Sequence, residues 1–177
     1  EDAQAMLDLA SQVMADDAGD IEMLVDADSP HQFAWREWTQ SADVDADDGC
    51  FATHHILDQI EDLSEPLIKM ADGHYYIEPT RACITIDVNT GADTSPAAAL
   101  KANVAMARDL GRQLRMRGLG AQILIDPAPI PKKDRKILES AIKAALRKDT
   151  VETNFVGFTQ MGLIELQRAR VRPSWIK

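Results

Sequence analysis

The 177-residue chain is short of cysteine, of aromatics and of long apolar runs, and each shortage removes a class of protein. Its two cysteines, Cys50 and Cys83, form no CxxC pair, so neither a disulfide framework nor a complete cysteine zinc site is available. A reducing, cytoplasmic setting is the expectation. The longest apolar stretches, such as Ile123-Leu124-Ile125 and Val104-Ala105-Met106-Ala107, fall far short of the roughly 20 residues a membrane-spanning helix needs. No GxSxG elbow, Walker loop, dinucleotide fingerprint or HExxH pair occurs. The first residues, Glu1-Asp2-Ala3-Gln4, lack an initiator Met, a basic stretch and an apolar stretch, which reads as a segment of a longer chain rather than a signal peptide.

What is present is an uneven charge. The total is −10, yet residues 1–75 hold 19 acids against two bases (Arg36, Lys69), while residues 76–177 hold 17 bases against 10 acids. A net of −17 repels polyanions, and a net of +7 attracts them through phosphate neutralisation and counterion release. Any nucleic acid is therefore expected on residues 76–177. Mutual attraction of the two segments explains the same asymmetry equally well.

Met6, Leu9, Val13 and Met14 recur at helical spacing over residues 2–15, and Ile21–Asp26 reads as a strand. Ser29 is placed to cap a helix running from Pro30 through Trp38. The loop 41–49 carries Asp43, Asp45, Asp47 and Asp48, but it lacks the sixth-position Gly and twelfth-position Glu of a calcium loop. A helical turn or two is expected over His54–Ile60. Alternation over His74–Pro79 and Ala82–Asn89 predicts an antiparallel hairpin. A long helix follows from about Ala97 to Arg117, then a strand at Gln122–Asp126, a helix at Lys132–Arg147, a strand at 151–159 and a closing helix at Gly162–Arg170.

Two apolar strands each carry an acid near the end, in Ile84-Thr85-Ile86-Asp87-Val88-Asn89 and Ile123-Leu124-Ile125-Asp126. Acids brought to neighbouring strand ends repel unless a cation lies between them, and magnesium suits oxygen donors that leave room for water and phosphate. Asn89, two positions after Asp87, shares its side of an extended strand. Asp87, Asn89 and Asp126 thus form a candidate catalytic set for metal-assisted phosphodiester hydrolysis, with Asp87 and Asp126 as metal ligands. Acids at strand ends also serve as turn formers and helix caps, so spacing leaves both roles open. On the long helix, Arg108, Arg112 and Arg115 recur at i, i+4 and i+7 with Arg117 nearby, a row able to grip a phosphate backbone or to remain a solvated face. Lys132, Lys133, Arg135 and Lys136, and then Arg168, Arg170 and Arg172, form further basic clusters. Base stacking is weakly provided for, with Phe155, Phe158 and Trp175 available and the two Phe equally suited to a core.

The segment Gly73-His74-Tyr75-Tyr76-Ile77-Glu78-Pro79-Thr80-Arg81-Ala82-Cys83-Ile84-Thr85-Ile86-Asp87-Val88-Asn89-Thr90-Gly91 resembles the signature of the ribonuclease E/G family of bacterial endoribonucleases. Ala99–Asn103, Ala107–Leu119, Ile123–Asp126 and Met161–Ser174 follow in the family's order. The resemblance implies an α/β (α+β) fold with a mixed sheet flanked by helices. It divides the chain into the acidic part of a ribonuclease-H-like subdomain at 1–72 and a deoxyribonuclease-like catalytic subdomain at 73–177. It also implies hydrolysis of single-stranded RNA, with magnesium on Asp87 and Asp126, Asn89 assisting at the scissile phosphate, and further RNA-binding domains before Glu1. Homo-oligomerisation is left open. After Asp126 the family usually has an aromatic and a second acid, where this chain has Pro127-Ala128-Pro129-Ile130. Two alternatives accompany the endoribonuclease expectation: a catalytically degenerate RNA-binding or assembly domain of the same family, and a metal-dependent phosphodiesterase acting on DNA.

Overall fold

A computed structural model describes residues 2–15, 29–37 and 43–174. The strand expected at 21–26, the end of the helix at Trp38 and the aromatic Trp175 lie outside the described residues. The chain falls into two compact units, Glu1–Ala46 and Asp47–Lys177.

The first unit carries helices α1 (Asp2–Ala15) and α2 (Pro30–Glu37). The start of α2 is fixed reciprocally: the Gln32 amide N–H donates to Ser29 Oγ (3.2 Å), and the Ser29 amide donates to Gln32 Oε1 (2.9 Å). This capping box satisfies two donors that the first helical turn would otherwise leave open.

The second unit begins with two short helices, α3 (Cys50–Thr53) and α4 (Ile56–Asp62), and then builds a sheet. Strands β1 (Leu67–Met70), β2 (Gly73–Pro79), β3 (Ile84–Thr90), β4 (Ala121–Asp126), β5 (Thr153–Phe158) and β6 (Ile164–Arg168) lie in the order β1-β2-β3-β4-β6-β5. Only β3 and β4 run parallel; the other neighbours are antiparallel, so the sheet is mixed. Helix α5 (Pro96–Met116) makes the β3-to-β4 crossover, and α6 (Arg135–Leu146), entered through a 3₁₀ turn at Lys132–Asp134, follows β4. Ser95 caps α5 by accepting from the Ala98 amide (3.2 Å), with Pro96 at the first helical position, where its missing N–H costs nothing.

Alternation along the strands divides the sheet into two faces. Tyr75 and Ile77 on β2, Ile84, Ile86 and Val88 on β3, Ile123 and Ile125 on β4, and Ile164 and Leu166 on β6 are buried against Met106, Leu110 and Leu114 of α5 and Leu138 and Ile142 of α6. The intervening residues, among them Tyr76, Asp87, Leu124 and Asp126, are exposed or half-buried on the opposite face. Gly73, with φ +150°, lies so close to the Asn89 backbone that a Cβ there would collide with its carbonyl.

One expectation is corrected. Residues 164–168 form β6 rather than a closing helix, because Ile164, Leu166 and Arg168 alternate into the interior and pair with β4 and β5. Sequence reading also missed β1, a four-residue edge strand paired with β2. The division drawn at residue 73 falls within this β1–β2 hairpin.

Candidate functional site

In the parallel β3–β4 pair, Asp87 is the register partner of Asp126, one step beyond the buried pair Ile86 and Ile125. Packing of the isoleucines into the core turns both carboxylates to the open face, where both residues are exposed. Acids 39 positions apart in sequence thus stand side by side at the carboxyl end of the parallel β3–β4 ladder, Asp126 closing β4 and Asp87 lying midway along the longer β3, near the position at which α/β sheets collect ligands.

Asn89 joins them. Its Nδ2 donates to Asp87 Oδ2 (2.9 Å), which fixes the carboxylate and leaves the amide oxygen as a further donor atom toward any cation. Like charges directly opposite on neighbouring strands are destabilising by themselves. Two solvent-facing carboxylates with a neighbouring amide oxygen are hard oxygen donors of the type magnesium takes, and the open face leaves the remaining positions to water and phosphate. Among the described residues no group of three or more His, Cys, Asp or Glu is arranged to hold a metal, so any ion here rests on two acids.

Sequence reasoning missed two aromatics at this site. In the β2–β3 register Tyr76 is opposite Asp87 and His74 opposite Asn89, and the two rings meet edge to face at 5.6 Å between centroids. Both are half-buried on the open face, because their strand neighbours Tyr75 and Ile77 take the core side. The signal was available in the alternation of β2. Phe155 and Phe158 instead pack against the core, with Lys143 and Arg135 over their respective rings.

A third missed residue is Asn103 on α5, fully buried and bonded twice to one backbone position. Its Nδ2 donates to the Ala128 carbonyl (2.8 Å), and its Oδ1 accepts from the Ala128 amide (2.9 Å). This clamp fixes the proline-flanked segment directly after Asp126, and hence the direction in which β4 ends.

The helix arginines take different places. α5 covers the apolar face, so Arg108, Arg112 and Arg115 stand on the far side of the sheet from Asp87 and Asp126. Arg112 Nε pairs with Asp109 (2.9 Å) and Arg115 with the buried Asp149 (2.9 Å), while Arg108 is exposed. Arg117 corrects the expectation that it reaches RNA. It is 2% exposed, and its guanidinium donates to Gln113 Oε1 and to the Glu65 carbonyl (3.2 Å). Burial lowers its pKa, in part opposed by Tyr75 and Asp109.

A network ties α5 to the sheet beside this arginine. The buried Tyr75 hydroxyl donates to Asp109 Oδ2 (2.8 Å), which also accepts from Gln113 (2.9 Å). Burial pushes the Tyr75 hydroxyl far above the usual phenol range, and Asp109 adds to the effect. Burial would also raise Asp109, but hydrogen bonds from Tyr75, Gln113 and Arg112 outweigh it and hold the carboxyl below its ordinary value. Arg168, assigned to a basic surface cluster by sequence, is 3% exposed and structural: its Nη1 reaches Asp149 (3.1 Å) and Thr153 (2.7 Å), and its Nε reaches the Leu119 carbonyl (3.2 Å).

Comparison with known proteins places these features. The model of the Ribonuclease E/G family matches residues 5–171. Ribonuclease G of Salmonella typhimurium (strain SL1344) is 34% identical over 135 residues, covering 70% of this chain and 27% of that protein. Ribonuclease E of Haemophilus influenzae is 30% identical over 130 residues, covering 70% of this chain and 14% of the relative. A chloroplastic Ribonuclease E/G-like protein of Arabidopsis thaliana is 29% identical over 132 residues, with 70% and 13% covered. The chain spans about a quarter of the length of the Ribonuclease G proteins it matches. With the family model matching nearly the whole chain, and with the acids of its signature segment and of Ile123–Asp126 brought together on one sheet, the chain belongs to the ribonuclease E/G family.

Proposed function

We propose that this chain carries the phosphodiester-cleaving centre of a magnesium-dependent endoribonuclease acting on single-stranded RNA. The observation that supports it is the register pairing of Asp87 with Asp126 at the end of the parallel β3–β4 ladder. Asp87 and Asp126 would hold the ion between them, with Asn89 keeping the Asp87 carboxylate in one orientation. When bound, magnesium supplies neutralisation of the scissile phosphate and a lowered pKa for the attacking water. The open face admits an extended strand, and Tyr76 offers a ring beside the acids on which a base can stack. Duplex RNA would have to unstack to use that ring, which favours single strands. The names of the relatives favour RNA over DNA as the substrate. Cleavage by this chain alone is expected to be slow, because it spans only part of those relatives and the remainder would grip the RNA. The subdomain division at residue 73 belongs to the same reading.

The test is cleavage of a labelled single-stranded RNA by the wild-type protein and by Asp87→Asn and Asp126→Asn, with magnesium titrated and a matched DNA strand in parallel. Both variants should lose at least a hundredfold in rate, about 2.7 kcal/mol of barrier, with a thermal midpoint no lower than that of the wild type. Normal cleavage by either variant refutes the assignment. RNA binding without any magnesium-dependent cleavage would favour the degenerate, binding-only alternative, and preference for DNA the third.

A further inference from the structure

We infer that the groove between α5 and α6 is a second RNA-binding site, holding phosphates on the side of the sheet opposite Asp87 and Asp126. The inference rests on the ribonuclease reading for its ligand. The groove encloses about 510 Å³ and is lined by four cationic side chains, Arg108, Arg112, Arg115 and Lys148. Its sole carboxylate is Asp149, whose side chain is 1% exposed and already shared between Arg115 and Arg168. Arg108 and Lys148 are exposed residues on opposite walls, with no acid opposing them within the lining.

The floor is made of small residues, among them Gly111, Ala141 and Ala144, so the charged side chains rise above a shallow trough. Gly111 is required there, since a Cβ would run into the Asp149 carboxylate. No lining residue is aromatic or a large aliphatic. The groove therefore offers neither a ring for a base nor a pocket for an apolar anchor, and it is suited to a charged backbone rather than to a nucleobase or a hydrophobic peptide. From Arg108 to Arg115 the helix rises about 10.5 Å at about 1.5 Å per residue, long enough to meet more than one phosphate of a strand. Guanidinium forks suit those oxygens. Because α5 covers the apolar face, an RNA engaged at both places must pass around an edge of the sheet, which selects long substrates over short ones.

The experiment measures binding of a labelled long single-stranded RNA by anisotropy, without magnesium and across a salt series. It uses the 177-residue chain and its Arg108→Glu, Lys148→Glu double variant. Loss of at least tenfold in affinity is expected, with a salt slope shallower by about 0.7 for each phosphate no longer neutralised. A short oligonucleotide should be cut by the double variant at the wild-type rate. The reciprocal conservative pair, Arg108→Lys with Lys148→Arg, should retain binding, which separates charge from fold. Unchanged affinity and slope in the double variant overturn the inference. So does a groove that takes polyglutamate in preference to RNA, since it would then serve an acidic protein segment. Failure of the catalytic reading looks different: Asp87→Asn would still cut while binding at the groove stayed charge-dependent.

Discussion

Asp149 receives two guanidinium groups from different layers of the molecule, Arg115 of α5 at 2.9 Å and Arg168 of β6 at 3.1 Å, with its side chain only 1% exposed. The Val151 amide donates a further hydrogen bond at 3.0 Å. Burial pushes this carboxyl up, but the Val151 amide, Arg115 and Arg168 together outweigh it and hold it below the usual carboxylate range. The arrangement fastens helix layer to sheet through charge rather than through apolar contact.

Asp149→Asn should accordingly destabilise the fold by about 3–5 kcal/mol, because Arg168 would be left buried without a counter-charge. Urea unfolding followed by circular dichroism reads this directly. A loss below about 1 kcal/mol, the level of an exposed pair, would show that the pair is solvated in practice.

The same geometry sets a pH dependence. Asp149 and Asp109 both have folded-state pKa values lowered from the ordinary 3.8. Their stabilising contribution is therefore complete above the unfolded value and is lost as pH falls through the lower folded ones. Thermal midpoints measured from neutral pH downward should hold until the ordinary carboxylate range and then drop. The drop should be smaller in Asp149→Asn; an equal drop would remove Asp149 from the acid response.

Asn103→Leu removes both partners of a buried backbone position. Each unsatisfied group costs about 1–3 kcal/mol, so a loss of about 2–6 kcal/mol is expected. RNA cleavage should fall further than stability explains, because the segment after Asp126 loses its anchor. Activity measured well below the melting transition makes the comparison, and wild-type rates there would confine Asn103 to a packing role.

Tyr76→Leu keeps an apolar side chain on the open face and removes the ring beside Asp87. Single-stranded RNA should bind more weakly by about 1–3 kcal/mol per lost stack with little change in thermal midpoint. Equal affinity for wild type and variant would remove Tyr76 from the RNA path.

Much of this molecule was legible in its residues. The β2–β3 hairpin followed from strict alternation, and α5 from its periodicity and the Ser95-Pro96 start. The placement of Asp126 at a strand end was readable too, whereas Asp87 stands midway along β3, and the adjacency of the two required a parallel register that pattern alone does not state. Residues 164–168 misled because Glu165, Leu166, Gln167 and Arg168 are good helix formers, while burial of Ile164, Leu166 and Arg168 at every second position decided for strand. The arginine row on α5 was read correctly as one helical face, but which side of the sheet receives that face depends on how the crossover packs. Arg117 and Arg168 look like surface charges in sequence, and only their distant partners, Glu65 and Asp149, reveal them as interior.

Because side chains alternate along a strand, sliding β4 by a single residue against β3 would bury Asp126 and expel Ile125. Correct assembly of the oily interior and correct aim of the two acids are thus one event, so a misaligned sheet would be both unstable and inert. Insertions in the short Arg117–Gly120 turn should therefore be tolerated far less well than changes of identical length in the Thr159–Leu163 loop.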